Sequence, residues 1–216
     1  MHGNPSDMVQ IMKIAKKPVI KNLKEPQESI RQVILDKAFL RFGRYGFGKT
    51  TMVEIAKDCK MSSGNLYRYF KSKKDICADC GSRVLQQRLE LIQKTINNKK
   101  LSPDEKLKTS VLEVLNYMHY HFSKQPALME LVDFISRERW DIVQEYMEQE
   151  KLLISEILFQ GKSSGDFIIS DVLETSIWVQ AALTKFFSPR YMEAFKLAEL
   201  RREAEGVVNT LIRGLK

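Results

Sequence analysis

An all-α fold follows from three features of this 216-residue chain. Apolar residues recur three and four positions apart over long stretches, which is the period of a helix with one buried face. No run alternates apolar and polar residues as a half-buried strand does, and no internal repeat is present. Clusters of Ser, Pro, Gly and Asn interrupt the pattern at helix-length intervals. About nine helices are expected, in an N-terminal helix-turn-helix domain and a C-terminal helical domain. The length suits one large domain or two small ones, and 44% hydrophobic with 29% charged residues is ordinary for a globular protein.

The boundaries are read as a basic tail over residues 1–26, a helix-turn-helix domain over 27–75 and a helical domain over 76–216. The tail carries Lys13, Lys16, Lys17, Lys21 and Lys24 among Ile11, Ile14, Val19 and Ile20. It is expected to be flexible, either as an arm along a phosphate backbone or as a leader without a specific role. Helix 1 should run from about Ser29 to Tyr45. Thr50 is read as the cap of a short second helix in which Val53, Ile55 and Ala56 form the apolar face and Glu54, Lys57 and Asp58 face water. Lys60 and Met61 make the turn, and Ser62 caps a third helix. In that helix Leu66 and Phe70 share a buried face, leaving Ser63, Gly64, Asn65, Tyr67 and Arg68 outward.

Two short helices joined by a tight turn are the layout that places a second helix in a DNA major groove. Charge agrees with this. Residues 1–75 hold 16 Lys/Arg against 7 Asp/Glu, a balance of +9, whereas residues 76–216 balance at −1. The positive excess lies wholly with the candidate reader, as an electrostatic footprint on DNA requires.

These residues resemble the DNA-binding signature of the tetracycline-repressor (TetR) family of bacterial regulators. The matching elements are Ile55-Ala56, Ser62, Gly64-x-Leu66-Tyr67-x-Tyr69-Phe70, Ser72-Lys73-x-Asp75-Ile76 and the preceding Gly46-Phe47. The resemblance implies a homodimeric, ligand-responsive regulator, a repressor in most of the family, whose partners are double-stranded DNA with a palindromic operator and a small-molecule effector. Ser63, Gly64, Asn65 and Arg68 are then expected at base edges, with Arg68 able to donate bidentately to guanine. Thr51, Tyr67 and Lys73 match family positions that contact phosphates, and Lys49 and Thr50 join them as expected phosphate contacts. The chain departs from the pattern at Lys60, where the family has Gly. A non-Gly residue at positive φ is uncommon, so a strained or differently shaped turn is expected.

Beyond the reader, Ser72 with Asp75 resembles a capping box for a long helix carrying Ile76, Val84, Leu85, Leu89 and Ile92 to about Asn97. Residues 97–101 read as a linker. Ser102-Pro103-Asp104-Glu105 is a strong helix start, with a cap, Pro at the first position and Glu three after the Ser. Later breaks are expected at 124–126, 161–166 and 188–189, before a closing helix over Arg190–Leu215. The helix over Asp171–Ser188 presents Ile177, Trp178, Ala181, Ala182, Thr184 and Lys185 near one face. The closing helix offers Leu197, Leu200, Ala204, Val207, Val208 and Leu211. Small residues let helices approach closely, and the resemblance places dimerisation here, with Ala181, Ala182, Lys185, Leu200, Ala204, Val208 and Leu211 as candidate interface residues. Large side chains in the middle helices suit an apolar effector pocket, for which Tyr117, Tyr120, His121, Phe134, Trp140, Phe159 and Trp178 are the candidates.

Other chemistries find less support. Gly43–Thr50 matches the Walker A pattern, which would make a nucleotide-binding enzyme, but a phosphate loop must follow a strand. The preceding Ile30, Val33, Ile34, Ala38 and Phe42 have helical spacing. A non-specific nucleic-acid binder remains the second alternative. Cys59 and Cys77-x-x-Cys80 allow a redox or metal switch, against which stand the lack of a thioredoxin-like pattern and of nearby partners for a zinc site. Buried free thiols are the simpler reading. His119 and His121 lie two apart on a helix and face different ways. No metal, cofactor or catalytic constellation is expected. With no apolar run long enough to cross a membrane and no secretory signal, a cytoplasmic protein is expected.

Overall fold

The helical periodicity of the sequence closes into ten α-helices and one 3₁₀ turn in the computed structural model, which describes residues 25–216. The lysine-rich segment 1–24, most of the basic tail, lies outside the described residues. In order, the helices are α1 (Glu25–Tyr45), α2 (Met52–Asp58), α3 (Ser63–Tyr69), α4 (Lys73–Ile96) and α5 (Pro103–Phe122). The 3₁₀ turn Pro126–Leu128 precedes α6 (Met129–Glu138), α7 (Trp140–Ser164), α8 (Val172–Phe187), α9 (Pro189–Ala194) and α10 (Leu197–Gly214).

Local signals set most of the ends. α5 begins with the expected capping box, in which Ser102 accepts from the Glu105 amide at 3.3 Å and Glu105 accepts from the Ser102 amide at 2.8 Å. Asp171 caps α8 by accepting from the Glu174 amide at 2.9 Å. Several bounds differ from the expected ones, among them an additional break at Arg139 between α6 and α7. α1 starts at Glu25, with Pro26 in the first turn where its missing N–H costs nothing. α7 runs through Gly161 to Ser164, because Gly161 makes room for the Phe167 ring; a Cβ there would stand 2.1 Å from a ring carbon. The closing helix is broken into α9 and α10 by extended backbone at Phe195.

Two compact units form. One comprises residues 25–86 together with Lys124–Gln144, and the other comprises Gln87–Ser123 with Glu145–Lys216. In the first, α1 packs against α2 and the 3₁₀ turn, and α2 against α3. Its core holds Ile34, Ala38, Phe42, Ile55, Leu66 and Ile76, all fully buried. In the second, α5 is central, packed by α8, α9 and α10. Leu107, Leu115, Met118, Leu158, Leu183 and Leu200 fill that core.

The turn between α2 and α3 shows how this sequence accommodates its departure from the family pattern. Lys60 has φ 56°, the left-handed conformation. Its amide donates to the Lys57 carbonyl and the Met61 amide to the Ala56 carbonyl, both at 3.0 Å, which together make a Schellman ending of α2. Glycine takes this conformation without a Cβ clash, whereas other L-residues pay for it. Lys60→Gly is therefore expected to raise unfolding stability by about 0.5–1 kcal/mol. Urea denaturation checks this, and an unchanged midpoint would remove the strain argument.

Candidate nucleic-acid interface

The reader is built outward from its buried face. Leu66 is fully buried and Phe70 nearly so, one turn apart on the inner side of α3 and its C-cap. This fixes the opposite side outward, where Gly64, Tyr67 and Arg68 are exposed and Ser63 and Asn65 half-exposed. Ser62 caps α3 as expected, its hydroxyl accepting from the Asn65 amide at 3.2 Å. Nothing in the protein lies within 4 Å of where a Gly64 Cβ would stand. The fold thus has no need of glycine there.

The start of α2 differs from expectation. Thr51, not Thr50, is the cap, because Glu54 lies three residues after Thr51 and completes a capping box with it. This contact and the neighbouring Arg41 hold the Glu54 carboxyl below its ordinary range, the hydrogen bonds to Thr51 being the larger cause. Thr50 is 1% exposed and its hydroxyl donates to the Gly46 carbonyl at 2.8 Å. Its side chain is turned inward, so the expectation of a Thr50 phosphate contact is corrected. Val53, expected on the apolar face, is 64% exposed; the buried stripe is Met52, Ile55 and Ala56.

Lys73 is also engaged. Its ammonium donates to the carbonyls of Phe47 at 2.6 Å, Gly48 at 3.2 Å and Thr50 at 2.7 Å, and lies over the Phe47 ring. These bonds occupy all three protons and staple the loop before α2 onto the start of α4. Lys49 and Thr51 remain exposed in that loop, and Tyr67 is exposed on α3.

Two arginines of α1 brace the reader. Arg41 reaches both oxygens of Asp58 at the end of α2, at 2.5 and 3.0 Å, and Glu54 at 3.2 Å. The Arg41 guanidinium accordingly holds the Asp58 carboxyl below its usual range. Arg31 donates to the Tyr69 carbonyl at 2.6 Å, pairs with Asp79 and stacks over Phe70. Arg41 thus ties α2 to α1, and Arg31 ties the end of α3 and the start of α4 to it.

The Walker A-like stretch has a different use. Gly43, Arg44 and Tyr45 are the last turn of a helix, and no strand is present among the described residues. Gly46 has φ 84°, and a Cβ there would meet the Glu130 carboxylate at 2.5 Å. That carboxylate accepts the Gly48 amide at 2.7 Å. An anion from the protein itself therefore occupies the loop's backbone donor. Phe134 packs here too, 5.1 Å from Phe47.

The expected effector-pocket residues do not come together. Phe134 is buried beside Phe47 in the first unit. Tyr120, Trp140 and Trp178 are 74%, 49% and 60% exposed. Tyr117 and His121 meet edge-to-face on α5, at 4.6 Å, and Phe159 is half-buried on α7. A cleft of about 740 Å³ near the end of α4 and the start of α5 is lined by Glu90, Lys94, Asn98 and Glu113 among others, and by none of the seven candidates. Spacing on one helix cannot say whether an aromatic faces the interior, and several of these face water.

The dimer candidates divide. Ala181 and Ala182 are exposed on α8, beside Ile177 and Trp178. Leu200, Ala204 and Val208 are instead buried in their own subunit, since α10 packs that stripe against α5 and α8. Leu211 is half-buried. Lys185 is paired with Glu203 of α10 at 2.5 Å. The outward strip of α10 is Ala198, Arg202, Gly206, Asn209 and Arg213.

Sequence reasoning missed a buried polar cluster in the second unit, formed by Arg88, Tyr146, Glu150 and Gln180. The signal was present. Arg88 interrupts the stripe Val84, Ile92, Ile96 on α4, and Glu150 interrupts the stripe Tyr146, Leu153, Ile157 on α7. The thiols of Cys77 and Cys80 are buried, which pushes Cys77 up to about 12 and Cys80 higher still. They are protonated and inert at neutral pH. Among the described residues no group of three or more His, Cys, Asp or Glu side chains is placed to hold a metal, and no helix is long and apolar enough to cross a membrane.

Comparison with known proteins agrees with this geometry. The model of "Bacterial regulatory proteins, tetR family" matches residues 34–80, and that of "Tetracyclin repressor-like, C-terminal domain" matches residues 103–208. The "Probable HTH-type transcriptional regulator YttP" of Bacillus subtilis is 22% identical over 166 residues, covering 76% of this chain and 80% of its own. The triclosan complex of SmeT, the repressor of a Stenotrophomonas maltophilia multidrug efflux pump, superposes with TM-score 0.67 at 17% identity, over 87% of this chain and 92% of that one. FadR of Bacillus subtilis in complex with stearoyl-CoA superposes with TM-score 0.60 at 19% identity, over 86% and 99%. Matched at both its reader and its C-terminal helices, the chain belongs to the TetR family of bacterial DNA-binding transcriptional regulators.

Proposed function

We propose that the protein is a homodimeric repressor that binds a palindromic operator and leaves it when a small molecule occupies the C-terminal unit. The observation carrying the DNA-reading role is the outward side of α3, where Gly64, Tyr67 and Arg68 are exposed while Leu66 and Phe70 anchor the helix. Ser63, Asn65 and Arg68 read base edges, and Gly64 lets the backbone come close. Lys49, Thr51 and Tyr67 hold phosphates. Lys73 acts by positioning the loop that carries Lys49 and Thr51. The exposed strip Ile177, Trp178, Ala181 and Ala182 on α8 supplies the dimer contact together with the outward side of α10, so that two α3 helices sit about 34 Å apart on successive grooves.

Selection of bound duplexes from a random library tests the reading. An enriched inverted repeat supports it. Tight low-salt binding without enrichment would favour a non-specific binder instead.

Gly64 gives an independent check. Gly64→Ala is expected to hold or raise folding stability, by up to about 1 kcal/mol, since a helix gains from Ala and the Cβ meets open space. Operator affinity is expected to fall at the same time. Equal affinity in a gel-shift titration would mean that α3 does not approach DNA at this point.

A further inference from the structure

The core of the second unit contains a charged pair that a purely structural core has little reason to keep. Arg88 and Glu150 expose only 7% and 5% of their side chains. Their contact is long, 3.4 Å from Nη2 to Oε1. The Tyr146 hydroxyl donates to the same oxygen, and Gln180 donates to Oε2 at 2.9 Å and to the Met147 carbonyl at 2.9 Å. The guanidinium lies over two rings, 4.4 Å from the Tyr146 centroid and 5.3 Å from that of Phe187. Its Nε is buried and has no acceptor.

These facts set a preference. The Glu150 carboxylate accepts from donors on three helices, while Arg88 keeps a buried N–H unpaired. Such a group costs free energy, and replacing a buried ion pair by apolar side chains is often neutral or stabilising. Any partner of that N–H must be an acceptor. The pair is already balanced in charge, so an added anion would stand uncompensated in a low-dielectric interior, whereas a neutral oxygen adds no net charge. The aromatic walls favour an apolar body next to that oxygen.

We infer that Arg88, held by Glu150, Tyr146 and Gln180, is the polar anchor of the effector site, and that it takes a neutral, mainly apolar molecule through a carbonyl-type oxygen. This rests on the ligand-responsive reading above and names the ligand's chemical class. The ring faces orient the apolar part, and the Arg88 Nε–H selects for the acceptor.

The test uses full-length protein and a panel of medium-chain and aryl ketones, esters and amides, each paired with the carboxylate of the same skeleton. Thermal shift and calorimetry are read on the wild type, on Arg88→Met, and on the double variant Arg88→Met with Glu150→Leu. The double variant removes both charges at once but leaves the buried Tyr146 hydroxyl without its Glu150 acceptor, so it is expected to fold with a modestly lowered melting temperature, higher than that of Arg88→Met, which leaves an uncompensated buried carboxylate. Neutral carbonyl compounds should stabilise the wild type and bind both variants about ten-fold or more weakly. Operator affinity without ligand should be unchanged in the double variant. Equal binding by wild type and variants, no binding from the panel, or preference for the carboxylates would each overturn the assignment. Failure of the ligand-free wild type to bind any operator would instead count against the regulator reading.

Discussion

Arg68→Ala is expected to bind its own operator roughly 30-fold to 10⁴-fold more weakly than the parent, because a bidentate Arg–guanine contact is worth about 1–3 kcal/mol and a dimer makes two of them. The side chain is exposed on the last turn of α3, so its loss leaves Leu66 and Phe70 in place and folding stability unchanged. The loss should fall on one base position in each half-site: the variant binds a sequence altered there as well as it binds the original. Fluorescence anisotropy against the selected operator and a set of single-base variants measures this. Lys73→Ala serves as the contrast. With three loop carbonyls left without their donor, it should weaken binding to every sequence alike and lower the melting temperature as well. If the Arg68 variant also loses affinity uniformly, Arg68 contacts phosphate rather than base.

Trp178→Glu is expected to give a folded monomer. The side chain is 60% exposed in the subunit, with Ile177 at 51% beside it and the small Ala181 and Ala182 one turn on. Large exposed apolar side chains next to small ones are unusual on a solvated helix and suit a close helix–helix contact. Under two-fold symmetry the substitution is made twice in one interface, and a buried Trp at such a centre is worth about 2 kcal/mol or more per copy. Analytical ultracentrifugation should show the parent as a dimer and the variant as a monomer. The variant should then lose at least about a hundred-fold in operator affinity, since its two half-sites are no longer bound by one particle. A variant that stays dimeric would move the interface to another surface.

Much of the reader was legible because its signals are local. Ser62 and Leu66 lie within a few residues of the backbone and the face they organise. The left-handed Lys60 was legible for the same reason, since a two-helix turn of this length needs one residue at positive φ. Even the misplaced cap was a local matter, with Glu54 three residues after Thr51 pointing to the right threonine. The errors concern which partner a face meets. Periodicity identified Leu200, Ala204 and Val208 as an apolar stripe, but burial is non-directional, and the stripe went to the subunit's own core instead of to a second subunit. Composition likewise did not state orientation for the aromatic candidates, since Tyr120 and Trp140 are exposed in the subunit.

The sequence by itself determined the helices, most of their ends, the basic N-terminal part and the outward side of α3, through 3.6-residue periodicity, caps and charge. Only the tertiary structure decided that residues 124–144 pack with the reader, that Glu130 closes the Gly46–Gly48 loop across 82 residues, and that Arg88 meets Glu150 across 62. Short-range patterns state what a side chain needs. They do not state which distant element supplies it, because that is settled by how the helices of each unit share its limited interior.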